Sequence, residues 1–247
     1  MKKFVFYILA FLLLLGCDGP NANDCFQAQG NSISETVQVA PFSKITFGDG
    51  IRLVLKQGEE QSVVIETGEN LLPEILVSVS DQTLSVTDEN ACNLVRDYGV
   101  TTIFVTAPDI TQIRNASRWE IRSNGVLSYP NLTLLSNTNP EQKSGDFYLT
   151  LDTENLKVVA NGVSVFYLEG TAVDANIIFS DEQPRFEGAL LNINHLMVLQ
   201  RSANDMIVNP LESISGEIRG VGNIVVKNRP PIVDVEQFFT GRLIFDD

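Results

Sequence analysis

Through the C-terminal half of this chain a small residue is followed four positions later, and often six, by an apolar one, and that spacing restricts the fold more than any other feature. Gly145 leads to Leu149 and Leu151, Gly162 to Phe166 and Leu168, Ser202 to Met206 and Val208, Gly220 to Ile224 and Val226, and Thr240 to Ile244. The steps are 17, 40, 18 and 20 residues. With the long step read as two units, a poorly matched member falls near Ser180 and the period is close to 20, the mark of a coiling solenoid. Each rung then supplies short strands whose alternate side chains stack on the same column of the next rung. A small residue at each corner lets the backbone turn without a side chain in the way. The alternative is a β-sandwich of hairpins, whose strands also recur at intervals of roughly 8 to 12 residues.

The N-terminal half is just as strongly strand-like. Residues 42–47, 51–56, 63–66, 75–79, 84–87 and 102–106 are short runs rich in Val, Ile and Thr. Turn signals separate them, at Gly48-Asp49-Gly50, Gln57-Gly58-Glu59, Gly68-Glu69-Asn70 and Ser80-Asp81-Gln82. Apart from a turn at 70–74, nothing after the first residues sustains a helical apolar stripe with caps. The body is expected to be almost entirely β.

The start of the chain has a different character. Lys2 and Lys3 precede an unbroken apolar run over 4–15, and Gly16 and Cys17 follow at once. A helix needs roughly 20 residues to span the hydrocarbon core, so this shorter run reads as a cleavable secretory signal. Leu14-Leu15-Gly16-Cys17 resembles the bacterial lipobox, in which a small residue precedes a Cys that is acylated before the chain is cut on its N-terminal side. Cys17 is therefore the expected lipid attachment site. Several acyl chains, at about 0.8 kcal/mol per buried methylene, hold such a protein permanently. The segment after Cys17 is short and polar and reads as a tether. Removing residues 1–16 leaves 15 basic against 31 acidic residues, a formal charge of −16. That charge argues against nucleic acid as a partner and leaves membrane contact to the lipid.

Two cysteines remain, Cys25 and Cys92, and in an exported protein two such thiols pair. The bridge closes a loop of roughly 66 residues, worth about 4 kcal/mol on the chain-entropy account. A metal site is the weaker reading, because His195 is the sole histidine and no Cys-x-x-Cys is present. Neither metal nor cofactor is expected. His195 itself sits in an alternating strand pattern, Asn192-Ile193-Asn194-His195-Leu196, as a structural or solvent-facing residue and not as a general base.

Other catalytic signals are equally thin. No Gly-x-Ser-x-Gly elbow occurs, and Gly220-Val221-Gly222 lacks the third glycine and the helix of a dinucleotide loop. Asp146, Asp152, Glu154, Asp174, Asp181 and Glu182 would serve a glycosidase only if two of them met on adjacent rungs. Arg114, Arg118, Trp119 and Arg122 form the one basic-aromatic cluster. Alternation sends Arg118 and Arg122 to one face and Trp119 to the other, with core packing of Trp119 favoured over a sugar-stacking platform.

The end of the chain carries a recognisable pattern. Ser202-Ala203-Asn204-Asp205, then Gly220-Val221-Gly222-Asn223-Ile224, then Lys227-Asn228-Arg229-Pro230 resemble the head GIN domain lipoproteins of Bacteroidetes, also called putative auto-transporter adhesins. Asp24-Cys25-Phe26, residues 42–55, Gly68-Glu69-Asn70-Leu71, Leu84-Ser85-Val86 and Cys92-Asn93-Leu94-Val95-Arg96 follow in the order of a cysteine-containing branch of that family, so the resemblance spans residues 24 to 245. Arg201 and Val221 depart from it, at positions where Gly and Ser are common. The resemblance implies a right-handed parallel β-helix-like solenoid, exported and lipid-anchored, with Cys25 joined to Cys92. It implies no activity.

The expected organisation is a signal peptide over 1–16, a lipidated Cys and tether over 17–30, an N-terminal β layer over 31–107, and continuous solenoid rungs over 108–247. The expected function is that of a non-catalytic lipoprotein at the outer membrane, on its periplasmic or surface side. Its solenoid face would bind a glycan or protein ligand. A polysaccharide-degrading enzyme on the same scaffold is the alternative.

Overall fold

Alternating apolar and polar residues give each short run one dry face, and in this chain the dry faces all turn inward around one core. The computed structural model describes residues 24–246 apart from 91, 95, 137–144 and 182. The signal run, Cys17, the tether up to residue 23, Val95 and Glu182 thus lie outside the described residues.

After a 3₁₀ turn at Asp24–Phe26 come β1 (Ser32–Val37), β2 (Lys44–Phe47), β3 (Ile51–Gln57), β4 (Ser62–Gly68), β5 (Ile75–Ser80), β6 (Thr83–Asp88) and β7 (Thr101–Ala107). All six runs read from the sequence are strands, and the turn at 70–74 is a 3₁₀ turn over Leu72–Glu74. The strand without a sequence signal is β1, whose Ser-Ile-Ser-Glu-Thr-Val is largely exposed and is held by antiparallel pairing with β4. Next come β8 (Gln112–Asn115), β9 (Ile121–Leu127) and β10 (Asn131–Ser136), and then four long strands, β11 (Phe147–Ala160), β12 (Val165–Phe179), β13 (Arg185–Gln200) and β14 (Met206–Ile218). The chain ends with β15 (Ile224–Val226), β16 (Ile232–Gln237) and β17 (Leu243–Phe245).

These strands make two faces. One face runs β1, β4, β7, β3, β9, the first halves of β11 to β14, then β15 and β17. The other runs β5, β6, β2, β8, β10, the second halves of β11 to β14, then β16. Apart from the antiparallel pairs β1–β4, β4–β7 and β5–β6 at the N-terminal end, every pairing between rungs is parallel, which is the ladder of a β-solenoid and not the hairpins of a sandwich.

Each long strand crosses from one face to the other. In β11 the buried positions are Phe147, Leu149, Leu151 and Thr153, and then Leu156, Val158 and Ala160. Two consecutive exposed residues, Glu154 and Asn155, shift the alternation by one and mark the corner. Val173 and Asp174 do the same in β12.

The register confirms the period and corrects its phase. Phe147, Phe166, Phe186, Met206, Ile224 and Leu243 form one inward column, with successive spacings of 19, 20, 20, 18 and 19 residues. The rung expected near Ser180 is the one bearing Phe186. Gly145 therefore marks Phe147 and not Leu149, and the last rung aligns on Leu243, with Ile244 facing out. Each buried column residue contributes roughly 1.5–3 kcal/mol of transfer free energy. Phe147 and Phe166 also stack with ring centroids 4.6 Å apart.

Side chains in the turns tie each rung to the next. Asp146 accepts a hydrogen bond from the Val165 amide at 2.8 Å, Asp205 from the Asn223 amide at 2.7 Å, and Asn223 from the Arg242 amide at 3.0 Å. In each case a short side chain receives the first free N–H of the strand one rung on, so the amide is satisfied without lengthening the turn. Close approach completes the corner, since a Cβ on Gly222 would lie 2.0 Å from the Asn204 carbonyl oxygen. Val221 sits at the outward tip of this turn, where its bulk meets solvent; hence the departure from the Ser common there leaves the fold intact.

Candidate binding face

Two of the residues expected to matter structurally are joined: Cys25 and Cys92 form a disulfide with Cα atoms 4.5 Å apart. The bridge fastens the entry of the chain to the loop after β6. There Asn93 Oδ1 accepts from the Arg96 amide at 2.9 Å, and an Arg96 guanidinium N–H donates to the Gln27 carbonyl at 3.2 Å. Cys17 lies outside the described residues.

The basic-aromatic cluster is split: Arg114 lies in β8 on the second face, Arg118 turns to Asp49, and Trp119 and Arg122 are joined only through Arg52 and Glu120, whose carboxylate is 3.6 Å from both guanidinium groups. Residues 117–119 form a bend between β8 and β9, so strand alternation stops there. Arg118 reaches back to Asp49 in a two-pronged pair, at 2.9 Å and 2.7 Å. Trp119 is half-buried and outside the core, with the Arg52 guanidinium 4.3 Å from its ring centroid. Both the expected core packing of Trp119 and the shared face of Arg118 and Arg122 are corrected by that bend.

Arg122, back in regular strand, meets a platform the sequence reading passed over. On the outer side of the first face, Tyr148 and Tyr167 occupy one column in β11 and β12. Their rings stack with centroids 4.6 Å apart and planes 8° from parallel. The Arg122 guanidinium lies 4.2 Å from the Tyr148 centroid, a cation–π contact that covers that end of the stack. Burial, then the nearby Asp146 carboxylate and Tyr167, push the Tyr148 hydroxyl above its ordinary range against the opposing pull of Arg122. It stays a neutral donor and acceptor at physiological pH.

At the Tyr167 end the column continues with Glu187 and has no third ring. Register explains the space there: Tyr167 pairs with Glu187 but Glu169 pairs with Leu190, so β13 carries one extra residue, a β-bulge. The bulge pushes Leu190 outward to 71% exposure. It borders a depression of about 400 Å³ lined by Tyr148, Thr150, Tyr167, Glu169, Glu187 and Leu190. Thr150 donates to Glu169 at 2.8 Å, and Glu187 pairs with Arg185. The site thus offers an aromatic surface, an apolar wall and two carboxylates that accept hydrogen bonds. A repeated tripeptide, Phe147-Tyr148-Leu149 and Phe166-Tyr167-Leu168, was its visible signal in the sequence.

The second face carries a mostly polar outer column, with Met197 exposed beside it. Asn155 donates to Asn131 at 2.9 Å along one outer column, which continues through Asp174, His195 and Ser213. His195 Nδ1 is 3.0 Å from Ser213 Oγ, and its Nε2 is 3.5 Å from a Glu212 carboxylate oxygen. That trio has the members of a nucleophile relay but not the setting of one. Its His and Glu side chains are 48% and 59% exposed. Ser213 lies between β13 and β16, so the peptide groups that would stabilise an oxyanion are committed to the ladders.

Of the scattered acids two have structural roles, and Asp181 stands exposed in the bend after β12. Asp146 caps Val165, Asp152 accepts from Thr171 at 2.7 Å, Glu154 and Asp174 stand at corners, and Glu182 lies outside the described residues. Among the described residues no three His, Cys, Asp or Glu side chains gather in a way that would hold a metal ion.

Comparison with known proteins agrees with the architecture. A family model described as putative auto-transporter adhesin, head GIN domain, matches residues 41–230. No curated protein matches the chain. The crystal structure of a putative adhesin from Bacteroides fragilis is similar at 23% identity and a TM-score of 0.78, covering 88% of this chain and 99% of that one. A putative adhesin from Parabacteroides merdae follows at 17% identity and a TM-score of 0.61, with 88% and 98% covered. A putative lipid binding protein from Parabacteroides distasonis has 14% identity and a TM-score of 0.66, with the same coverage. At these identities the likeness establishes the fold.

Proposed function

The chain belongs to the family of putative auto-transporter adhesins with a head GIN domain, and from that premise we propose that it is an exported, lipid-anchored, non-catalytic protein of the cell envelope that binds a glycan at the free face of Tyr167. In this reading residues 1–16 are removed on export, and lipid on Cys17 moors the protein to the outer membrane through a short tether that ends where the disulfide pins Cys25. Residues 31–107 form the layer nearest the tether, and 108–247 form the rungs that carry the site.

The observation that carries the proposal is the interruption of the aromatic column: two stacked tyrosines, then a bulged rung with Glu187 and Leu190 where a third ring would sit. Strands stand about 4.8 Å apart, so a missing ring leaves a slot of one rung's height. A pyranose stacks its apolar C–H face on an aromatic ring and turns its hydroxyls to carboxylates at the edge, which matches Tyr167 with Glu169 and Glu187. A net charge of −14 favours neutral or amine-bearing sugars over anionic ones. For the polysaccharide-degrading alternative, Glu169 and Glu187 would have to face each other across a cleft, whereas here they flank an open slope.

The experiment is a glycan array with the purified mature protein, followed by titration of the hits against Tyr167→Ala. Binding without product release, lost in the variant, is the expected result; steady release of sugar, or binding indifferent to Tyr167, overturns the assignment. Membrane attachment is tested separately: Cys17→Ala should move the protein out of the membrane fraction.

A further inference from the structure

The two ends of the solenoid are built differently. At the N-terminal end β1 and β4 close one face with antiparallel strands, and the β5–β6 hairpin closes the other. At the C-terminal end β16 pairs only with β14, and β17 only with β15, among the described residues. Repeat proteins ordinarily finish in a polar cap, and an exposed apolar edge strand is a template for another strand. Here Val233, in register with the fully buried Ile214, is 44% exposed, and Phe239, just past the end of β16, is 58% exposed.

The open edge has a defined chemistry. The Phe238 amide donates to the Ile218 carbonyl at 2.9 Å, so by strand alternation the peptide groups of Val233, Val235 and Gln237 point away from β14 toward the unfilled side. Side chains alternate as well. Val233 and Val235 face inward, in register with Ile214 and Gly216, while Ile232, Asp234 and Glu236 face outward beside Ser213, Ser215 and Glu217.

A second copy fits this edge poorly. Residues paired directly across two antiparallel strands share a face, so centring β16 on its own copy sets Asp234 against Asp234 or against Glu236, and like charges opposite each other are destabilising. The net charge of −14 on each copy adds long-range repulsion.

We propose that the C-terminal end of the solenoid receives, by β-strand addition, an extended segment of a partner protein that alternates apolar residues facing inward with Lys or Arg facing outward. The partner's backbone pairs with the free peptide groups of Val233, Val235 and Gln237. Its apolar side chains cover Val233 and Val235, and its cations sit opposite Asp234 and Glu236. This surface is separate from the Tyr167 site and does not depend on it.

The test uses the mature protein with an end-blocked seven-residue peptide alternating Lys and Val, and the same peptide with Glu for Lys, at physiological salt. Amide hydrogen exchange is read at residues 233, 235 and 237. The Lys peptide should slow exchange at those three amides about tenfold or more, and the Glu peptide should leave them unchanged. Asp234→Lys combined with Glu236→Lys should exchange the preference between the peptides. Val235→Pro, which deletes one outward amide, should abolish strand addition while the Ile214 and Ile224 amides keep their protection; if Val235→Pro disturbs those, the charge-reversed pair decides. The proposal is overturned if the Lys peptide gives no slowing, if charge reversal leaves the preference unaltered, or if the three amides are already protected in a concentration-dependent dimer, which would assign this end to a second copy.

Discussion

Tyr148 and Tyr167, 19 residues apart in sequence, lie ring on ring at 4.6 Å because β11 and β12 place them in direct register. Removing either ring loses the stack, worth about 0.5–1.5 kcal/mol, and should leave the fold intact. Tyr167→Ala is expected to abolish glycan binding, and Tyr148→Ala to weaken it less, by removing the support beneath Tyr167. Calorimetric titration with an array-selected glycan measures both; equal affinity in all three proteins would exclude the platform.

Asp205 is tied to its rung by one job, receiving the Asn223 amide and side-chain amide at 2.7 Å and 3.1 Å. Asp205→Ala orphans a partly buried N–H and should cost about 1–3 kcal/mol, while Asp205→Asn keeps an acceptor and should cost less. Urea unfolding midpoints give the comparison, and an unchanged midpoint for Asp205→Ala would show that the turn ladder contributes nothing.

Asp146 makes the same kind of bond to Val165, but burial first, and Glu120 nearby, raise its carboxyl above the ordinary range despite that bond. A raised folded value favours the protonated form. The group therefore supports the fold at acid pH, and that support is lost as pH rises through the folded value. Asp146→Asn retains the acceptor and carries no charge to bury, so it should be more stable than the parent at neutral pH, with the gain shrinking on acidification. Stability measured from about pH 3 to pH 8 tests the sign. A parent more stable than the variant at pH 7 would mean that the charged cap outweighs its desolvation.

Gly170 holds φ at +106°, and a Cβ there would lie 2.0 Å from the Leu151 carbonyl oxygen. Gly170→Ala must move the backbone of β12 against β11, at a cost of roughly 2 kcal/mol or more. Thermal unfolding should show a clear drop, with a wild-type melting temperature as the refuting result.

Cys25 and Cys92 close a loop with a sequence separation of 67. Cys25→Ser with Cys92→Ser should lower stability by about 4 kcal/mol, offset by any structure retained in the unfolded chain. Equal denaturant midpoints with and without reductant would set that aside.

The solenoid was legible because a β rung writes its core into a local, repeating pattern. Phe166, Phe186, Met206 and Ile224 stand at nearly equal spacing since each must fill the same column. The phase was harder to read. Leu149 and Phe147 are both apolar and two residues apart, so both face the core, and alternation cannot say which one begins the column. Strand β1 escaped because an edge strand with exposed side chains carries no apolar alternation; its pairing with β4 is a backbone affair.

The binding face was legible only in part. Trp119 drew attention as the aromatic member of a basic cluster, but the bend at 117–119 removed the alternation on which its placement rested. Tyr148 and Tyr167 stood in a visible Phe-Tyr-Leu repeat, but that their rings share one column, and that an extra residue in β13 opens the slot beside them, only the register shows.

By itself the sequence determined what depends on neighbours a few residues away or on a repeated interval: strands in place of helices, a period near 20, and the two cysteines available to pair. Only the tertiary structure decided which side chains meet, because stacking distance is set by register between rungs, and a single inserted residue or bend moves every later side chain relative to its partner. That is why Arg122 found Tyr148 and not Arg118, and why Tyr167 ends its column with a bare ring face.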